Sequence, residues 1–185
     1  AARFTQEQIK EACLHYNAFD AANFAFHLKS LSSEVSGNKE TLLARTQELL
    51  HGSETVFQAT FETNEGLFAK IDILNFNTET RKWDIYEVKA SSEIKTDLKH
   101  NHIKDVGFQT IVAEDAGVDV GDSYIIYINK EYRRAGEVDI NQLFIIENVT
   151  EQIHEEKDVV RAEIARALAM LKKDDISLDG CDCLY

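Results

Sequence analysis

Residues 66–109 read GLFAKIDILNFNTETRKWDIYEVKASSEIKTDLKHNHIKDVGFQ. Two apolar, β-rich runs are joined by a polar turn, NFNTETRK, so the stretch predicts a hairpin. Asp72 lies in the first run, and the second ends in Glu87-Val88-Lys89. Side chains alternate faces along a strand, so Glu87 and Lys89 point one way while Val88 turns into the core. The hairpin brings Asp72 alongside Glu87. Two carboxylates and a lysine converging at a sheet end suit a hard divalent cation and a phosphate.

A Glu-x-Lys at a strand end is common, and an aspartate in a half-buried strand is often only a salt-bridge partner. Two features favour the cation site. Asp72 sits among Leu67, Phe68, Ala69, Ile71, Ile73 and Leu74, where a carboxylate is costly to bury unless paired or metal-bound. After Lys89 the chain turns basic and polar, with Lys95, Lys99, His100, His102 and Lys104, and enters a predicted helix carrying Gln109.

Working outward, helical spacing predicts helices over residues 5–31, 38–50, 102–116 and 150–173. The last has Ile153, Val160, Ile164, Leu168 and Leu171 along its core face. Strands are expected at 54–62, 66–76, 82–90 and 123–129, with another near 143–147. There are no internal repeats. With 185 residues, 44% hydrophobic and without proline, residues 1–185 read as a single α/β domain with no long linker. No apolar stretch approaches a membrane span, and no signal peptide is visible, so no membrane partner is expected and a cytoplasmic location is. The odd cysteine count (Cys13, Cys181, Cys183) fits the same reducing setting. Met170 is the only methionine, so the chain is expected to be a processed product or a fragment of a longer protein, and the resemblance described next favours the fragment.

Asp72, then Glu87-x-Lys89, then a helix bearing Gln109 resembles the PD-(D/E)XK nuclease superfamily, in its RecB-like branch. The segments VFQATFE (56–62), YEVKASSEIK (86–95), DVGFQ (105–109), INKEYRRAGEVDINQLF (128–144) and ENVTEQI (147–153) are similar, in order, to blocks of one large bacterial family. Its members are mostly uncharacterised and carry this nuclease module in a longer protein. The resemblance covers about two-thirds of the chain. It implies a three-layer α/β/α restriction-endonuclease-like core with a mixed central sheet, an arrangement that the order of predicted elements fits. It implies Mg²⁺ or Mn²⁺ as cofactor and nucleic acid, DNA favoured, as substrate.

By this resemblance Asp72 and Glu87 match the acidic metal ligands, and Val88 offers its backbone carbonyl as a further ligand. Lys89 matches the lysine that orients the attacking water and stabilises charge on the phosphate. Gln109 matches the glutamine that follows the core strands. Within FDAANFAFHL (19–28), His27 aligns with an early-helix ligand, although Ala22 and Phe26 stand where the family has glycines. A single histidine on an apolar helix is equally a packed residue; Glu54 and Glu62 are poorer candidates for that role. Relatives often hold an iron–sulfur cluster through four cysteines. Three are present here and Cys13 falls in an apolar pattern, so no cluster is expected in this fragment, and the intact protein is left open.

A net charge of −13 argues against loose nucleic-acid coating, which depends on neutralising phosphates. Missing domains or a partner protein are therefore expected to complete the substrate groove. Trp83, Tyr86, Tyr127 and Tyr132 are base-stacking candidates or core, and Arg133 and Arg134 are phosphate contacts or exposed turn charges. Two rival readings stand beside the nuclease. One is a catalytically inactive nuclease-fold module that binds nucleic acid or acts as a scaffold. The other is a hydrolase of other phosphate esters. The sequence leaves DNA against RNA, and endo- against exonucleolytic cutting, open.

Overall fold

The computed structural model describes residues 33–34 and 37–172. The helix expected over 5–31, with His27 and Cys13, and the C-terminal Cys181 and Cys183 lie outside them. In chain order the elements are β1 (Ser33–Glu34), α1 (Lys39–Gly52), β2 (Thr55–Glu62), β3 (Phe68–Asn77) and β4 (Lys82–Val88). Then come α2 (His102–Asp115), β5 (Val120–Ile128), the short α3 (Ile140–Leu143), β6 (Phe144–Asn148) and α4 (Thr150–Leu171). The strands form one six-stranded mixed sheet in sequential order. The β1–β2 and β4–β5 pairs are parallel and the others antiparallel. The chain is thus α/β with a mixed sheet.

Local chemistry explains the boundaries. Asn38 caps α1 by accepting from Thr41 N at 2.9 Å, and Asn101 caps α2 by accepting from Lys104 N at 2.9 Å. The β3–β4 hairpin closes as expected on Asn77, whose Oδ1 accepts from Glu79 N and Thr80 N. Because β4 and β5 are parallel, a crossover must join them, and α2 is that crossover. It lies across the sheet with Val106, Ile111 and Val112 fully buried, each contributing about 1.5–3 kcal/mol of burial.

Two clusters flank the sheet. The larger joins Val56, Ala59, Phe61, Ala69, Ile71, Leu74 and Ile85 to Leu49 of α1, Val106 and Val112 of α2 and Ile153 of α4. The smaller is Phe57, Ile73, Tyr86, Ile126 and Phe144, with Leu143 of α3 against it. Among the described residues the three long helices therefore pack with one cluster, and they do not supply the third layer that the resemblance implied.

The alternation of faces slips once. Val56 belongs to the larger cluster and Phe57 to the smaller, but beyond Gln58 the next residue, Ala59, is back in the larger. On β3, Leu74 and Ile73 divide the same way, and beyond Asp72, Ile71 rejoins the larger cluster. The register runs Phe57↔Ile73 and then Ala59↔Ile71, so both strands slip together at the facing residues Gln58 and Asp72. Gln58 adopts φ 58°, the left-handed region, within a strand.

A few expectations are corrected. The last helix buries Ile153 and Val160, whereas Leu171 is 74% exposed. The strand expected at 123–129, β5, begins at Val120, because a bulge opposite Asp84 extends it through polar residues. There Gly121 is obligatory: a Cβ on it would collide with Asp84 Oδ1. Among the described residues no helix is long and apolar enough to cross a membrane.

Candidate active site

The β3–β4 ladder runs from Asn77↔Lys82 to Ile73↔Tyr86 and stops. One step further, the same register faces Asp72 with Glu87. Here the strands part, and side-chain chemistry replaces the ladder: Val88 N donates to Asp72 Oδ2 at 3.0 Å. The other oxygen, Asp72 Oδ1, accepts from Gln58 Nε2 at 2.9 Å. Asp72 is thus clamped by β4 on one side and β2 on the other.

Glu87 shares its face with Ile85, beneath α2, and only 8% of it is exposed. Its Oε1 accepts from Lys89 Nζ at 2.8 Å, while its buried Oε2 has no hydrogen-bond partner. Burial pushes the carboxyl up to about 7, and the Asp72 charge adds to that; Lys89 and the Gln109 amide pull it back. Lys89 follows at the strand end, with its amide still in the sheet (Lys89 N to Ile126 O, 2.8 Å). Its ammonium bridges Glu87 and Asp105 of α2. Burial alone would lower its affinity for a proton, but the two carboxylates outweigh that and hold it above the ordinary lysine value.

Gln109 is buried one helical turn beyond Asp105, and its Nε2 donates to Asp105 Oδ1 at 3.4 Å. Its Oε1, like Glu87 Oε2, is buried without a donor. A buried acceptor left unsatisfied costs about 1–3 kcal/mol, so both oxygens favour a proton or a cation beside them.

Asp72, Glu87, Val88, Lys89 and Gln109 therefore come together as the sequence suggested, at the carboxyl end of β4 under the crossover helix. Open sheets bind ligands at that edge. Val88 packs against the smaller cluster while its peptide lies against Asp72. Two members escaped sequence reasoning. Asp105 had a legible signal, since a residue four before Gln109 shares its helix face. Gln58 had none without the β2–β3 register. Glu62 pairs with Lys39 at 2.5 Å at the far end of β2, so it is not near the site.

The two carboxylates suit Mg²⁺ or Mn²⁺, which are held by one or two carboxylates and complete their shells with water and phosphate. Among the described residues no group of three or more His, Cys, Asp or Glu stands ready to hold a metal ion. The third acid of the cluster, Asp105, is engaged by Lys89.

The other candidates make contacts within the fold. Trp83 packs edge-on to Phe76 at 5.2 Å, and Tyr86 stacks on Tyr124 at 4.6 Å. Tyr127 donates to Glu147 at 2.7 Å, and Tyr132 accepts from Asp139 N at 3.0 Å. Arg133 and Arg134 donate to carbonyls of their own turn. Of the basic run, Lys104 pairs with Glu163 at 2.6 Å. His102 accepts from Lys95 N through Nδ1, which requires a neutral ring, and burial and the charge of Lys89 hold its pKa down. A groove of about 310 Å³ lined by Glu65, Leu67, Ile111, Asp115, Arg161 and Leu168 shares no residue with the site.

No protein-family model matches the chain, and no curated protein matches it in sequence.

Proposed function

We propose that this domain is a metal-dependent nuclease of the PD-(D/E)XK type, hydrolysing phosphodiester bonds in nucleic acid, DNA first. The observation that carries the reading is Glu87 Oε2: a buried carboxylate oxygen without a donor, facing Asp72 where β3 and β4 part. Asp72 and Glu87, with the Val88 carbonyl, would hold Mg²⁺ or Mn²⁺; His27 is left out of that set because it lies outside the described residues. When bound, the cation supplies Lewis-acid polarisation of the phosphate and acidification of a water.

The remaining work falls to the chain. Lys89 presents a compact, firmly protonated charge two residues beyond Glu87, on the same face, where negative charge builds on the phosphate. Glu87 and Asp105 hold that ammonium between them, and Gln109 braces Asp105 from within the helix. A water oxygen forms the new bond to phosphorus as the ester oxygen departs.

A second reading, an inactive nuclease-fold binding or scaffolding module, draws on the same lysine. Lys89 is already neutralised by two carboxylates, and the chain carries net −13. Calorimetric titration of Mn²⁺ into the wild type and Asp72→Ala, with cleavage assays on single- and double-stranded DNA, RNA and free nucleotides, separates the readings. Binding lost in the variant together with polynucleotide cleavage supports the nuclease. Cleavage of nucleotides alone indicates another phosphate-ester hydrolase. Cleavage that survives Asp72→Ala, Glu87→Ala and Lys89→Ala would falsify the assignment, and absence of Mn²⁺ binding favours the inactive module.

A further inference from the structure

Gln58 is the one residue at the site whose own backbone is in a disfavoured state. Left-handed φ is uncommon outside glycine, and asparagine, aspartate and histidine account for much of the remainder; glutamine is not among those preferred types. The other described non-glycine residue with positive φ, Arg81, sits in the β3–β4 turn, where such geometry is routine. Gln58 instead lies mid-strand, paired on either side by Phe57↔Ile73 and Ala59↔Ile71. Backbone strain of this kind persists only where surrounding structure over-determines it, and it gathers at functional sites.

The strain has a visible consequence. The left-handed turn flips the parity of β2 at the same level at which β3 flips at Asp72, and it sets the Gln58 amide against Asp72 Oδ1 at 2.9 Å. Val88 N fixes the opposite oxygen. A carboxylate held through both oxygens resists rotation. Each of its oxygens has two lone pairs, so a hydrogen bond to Oδ1 leaves one for a further ligand.

We propose that Gln58 is a positioning residue for Asp72: its strained backbone aims a side-chain amide that fixes the carboxylate in the orientation a divalent cation needs. This inference rests on the metal-dependent reading above. Partners that orient a ligating carboxylate typically contribute 10–100-fold in metal affinity. Two substitutions separate orientation from folding. Gln58→Gly accepts φ 58° freely and deletes the amide. Gln58→Met keeps the bulk and the strain and also deletes the amide.

The test titrates Mn²⁺ calorimetrically into the full chain as wild type, Asp72→Asn, Gln58→Gly and Gln58→Met, with a thermal melt of each. The expected result is that both Gln58 variants bind Mn²⁺ at least about 10-fold more weakly than wild type, while Gln58→Gly melts at or above the wild-type temperature. Stability gained with affinity lost is something a merely structural residue does not show. Wild-type affinity in both variants, or in Gln58→Met alone, overturns the proposal and leaves the metal site standing. A wild type that binds no Mn²⁺ overturns the metal-dependent reading, and this inference with it.

Discussion

Val88, two residues past the last rung of the β3–β4 ladder, donates its backbone N–H to Asp72 Oδ2 at 3.0 Å. The carboxylate thereby serves as the acceptor that a neighbouring strand would have supplied, so Asp72 has a structural part beside the ligand role proposed for it. Asparagine can still accept from Val88 through its side-chain oxygen, but it carries no charge. Asp72→Asn is therefore expected to stay folded, losing no more than about 1 kcal/mol, and to lose Mn²⁺ binding and cleavage. Asp72→Ala strands both donors and is expected to lose roughly 1–3 kcal/mol more. Urea denaturation of the two variants beside calorimetry checks both statements.

Glu87 gives the metal-free protein a definite pH signature. Its carboxyl is raised from 4.5 to about 7, so the folded state binds its proton more tightly than the unfolded chain does. The resulting stabilisation is fully present below about pH 4.5 and is lost as pH rises through about 7. Over that window the wild type is expected to lose on the order of 3 kcal/mol relative to Glu87→Gln, read from urea curves of both proteins between pH 4.5 and 8. The same proton competes with a cation, so Mn²⁺ affinity is expected to fall below pH 7 with proton release on binding. A wild-type-minus-variant difference flat in pH would refute this role for Glu87.

How much of this was legible depended on the kind of signal. The β3–β4 hairpin was readable because β-rich runs flank a turn whose Asn77 closes on its own backbone. That register then delivered Asp72 opposite Glu87. Gln109 was nominated by the family resemblance, and it falls in α2, the helix that periodicity predicted. The slip at Gln58 and Asp72 was not. Apolar residues surround both positions, so a change of face leaves no mark on the hydrophobic pattern. Leu171 misled because helical periodicity continues past Val160, the last buried residue of α4, and its side chain is 74% exposed. Asp105 was visible as a residue but not as a partner, since only the crossover geometry brings the first turn of α2 over Lys89.

Two glycines, one in the sheet and one at a helix end, test the fold. Gly121 sits in the β5 bulge, where an added Cβ would strike the buried Asp84 carboxylate, which accepts from Asp122 N at 2.9 Å and Asn77 Nδ2 at 3.0 Å. Gly121→Ala must displace that network, and it is expected to cost about 1–3 kcal/mol. Gly52, the last residue of α1, has open space where a Cβ would go. Gly52→Ala is expected to stabilise by roughly 0.5–1 kcal/mol. Denaturation midpoints moving in opposite directions, with unchanged slopes, are the expected pair of results.

Lys89 separates charge from scaffold. Its ammonium is held by a carboxylate on its own strand and by Asp105 across the crossover, and both partners favour the protonated form. Asp105→Asn removes one of them. The Lys89 pKa is expected to fall, followed by NMR of the lysine Nζ. Asp105 is 44% exposed, so the fold is expected to change by less than about 1 kcal/mol. Lys89→Met keeps the stem and deletes the charge. On the proposed chemistry it lowers kcat by about 10²-fold or more, the scale seen when a donor to developing charge is removed. On the proposed chemistry Mn²⁺ binding through Asp72 is expected to survive in Lys89→Met, because a cationic side chain is not a ligand to a cation. Loss of metal binding in that variant would instead make the lysine part of the scaffold that holds Glu87.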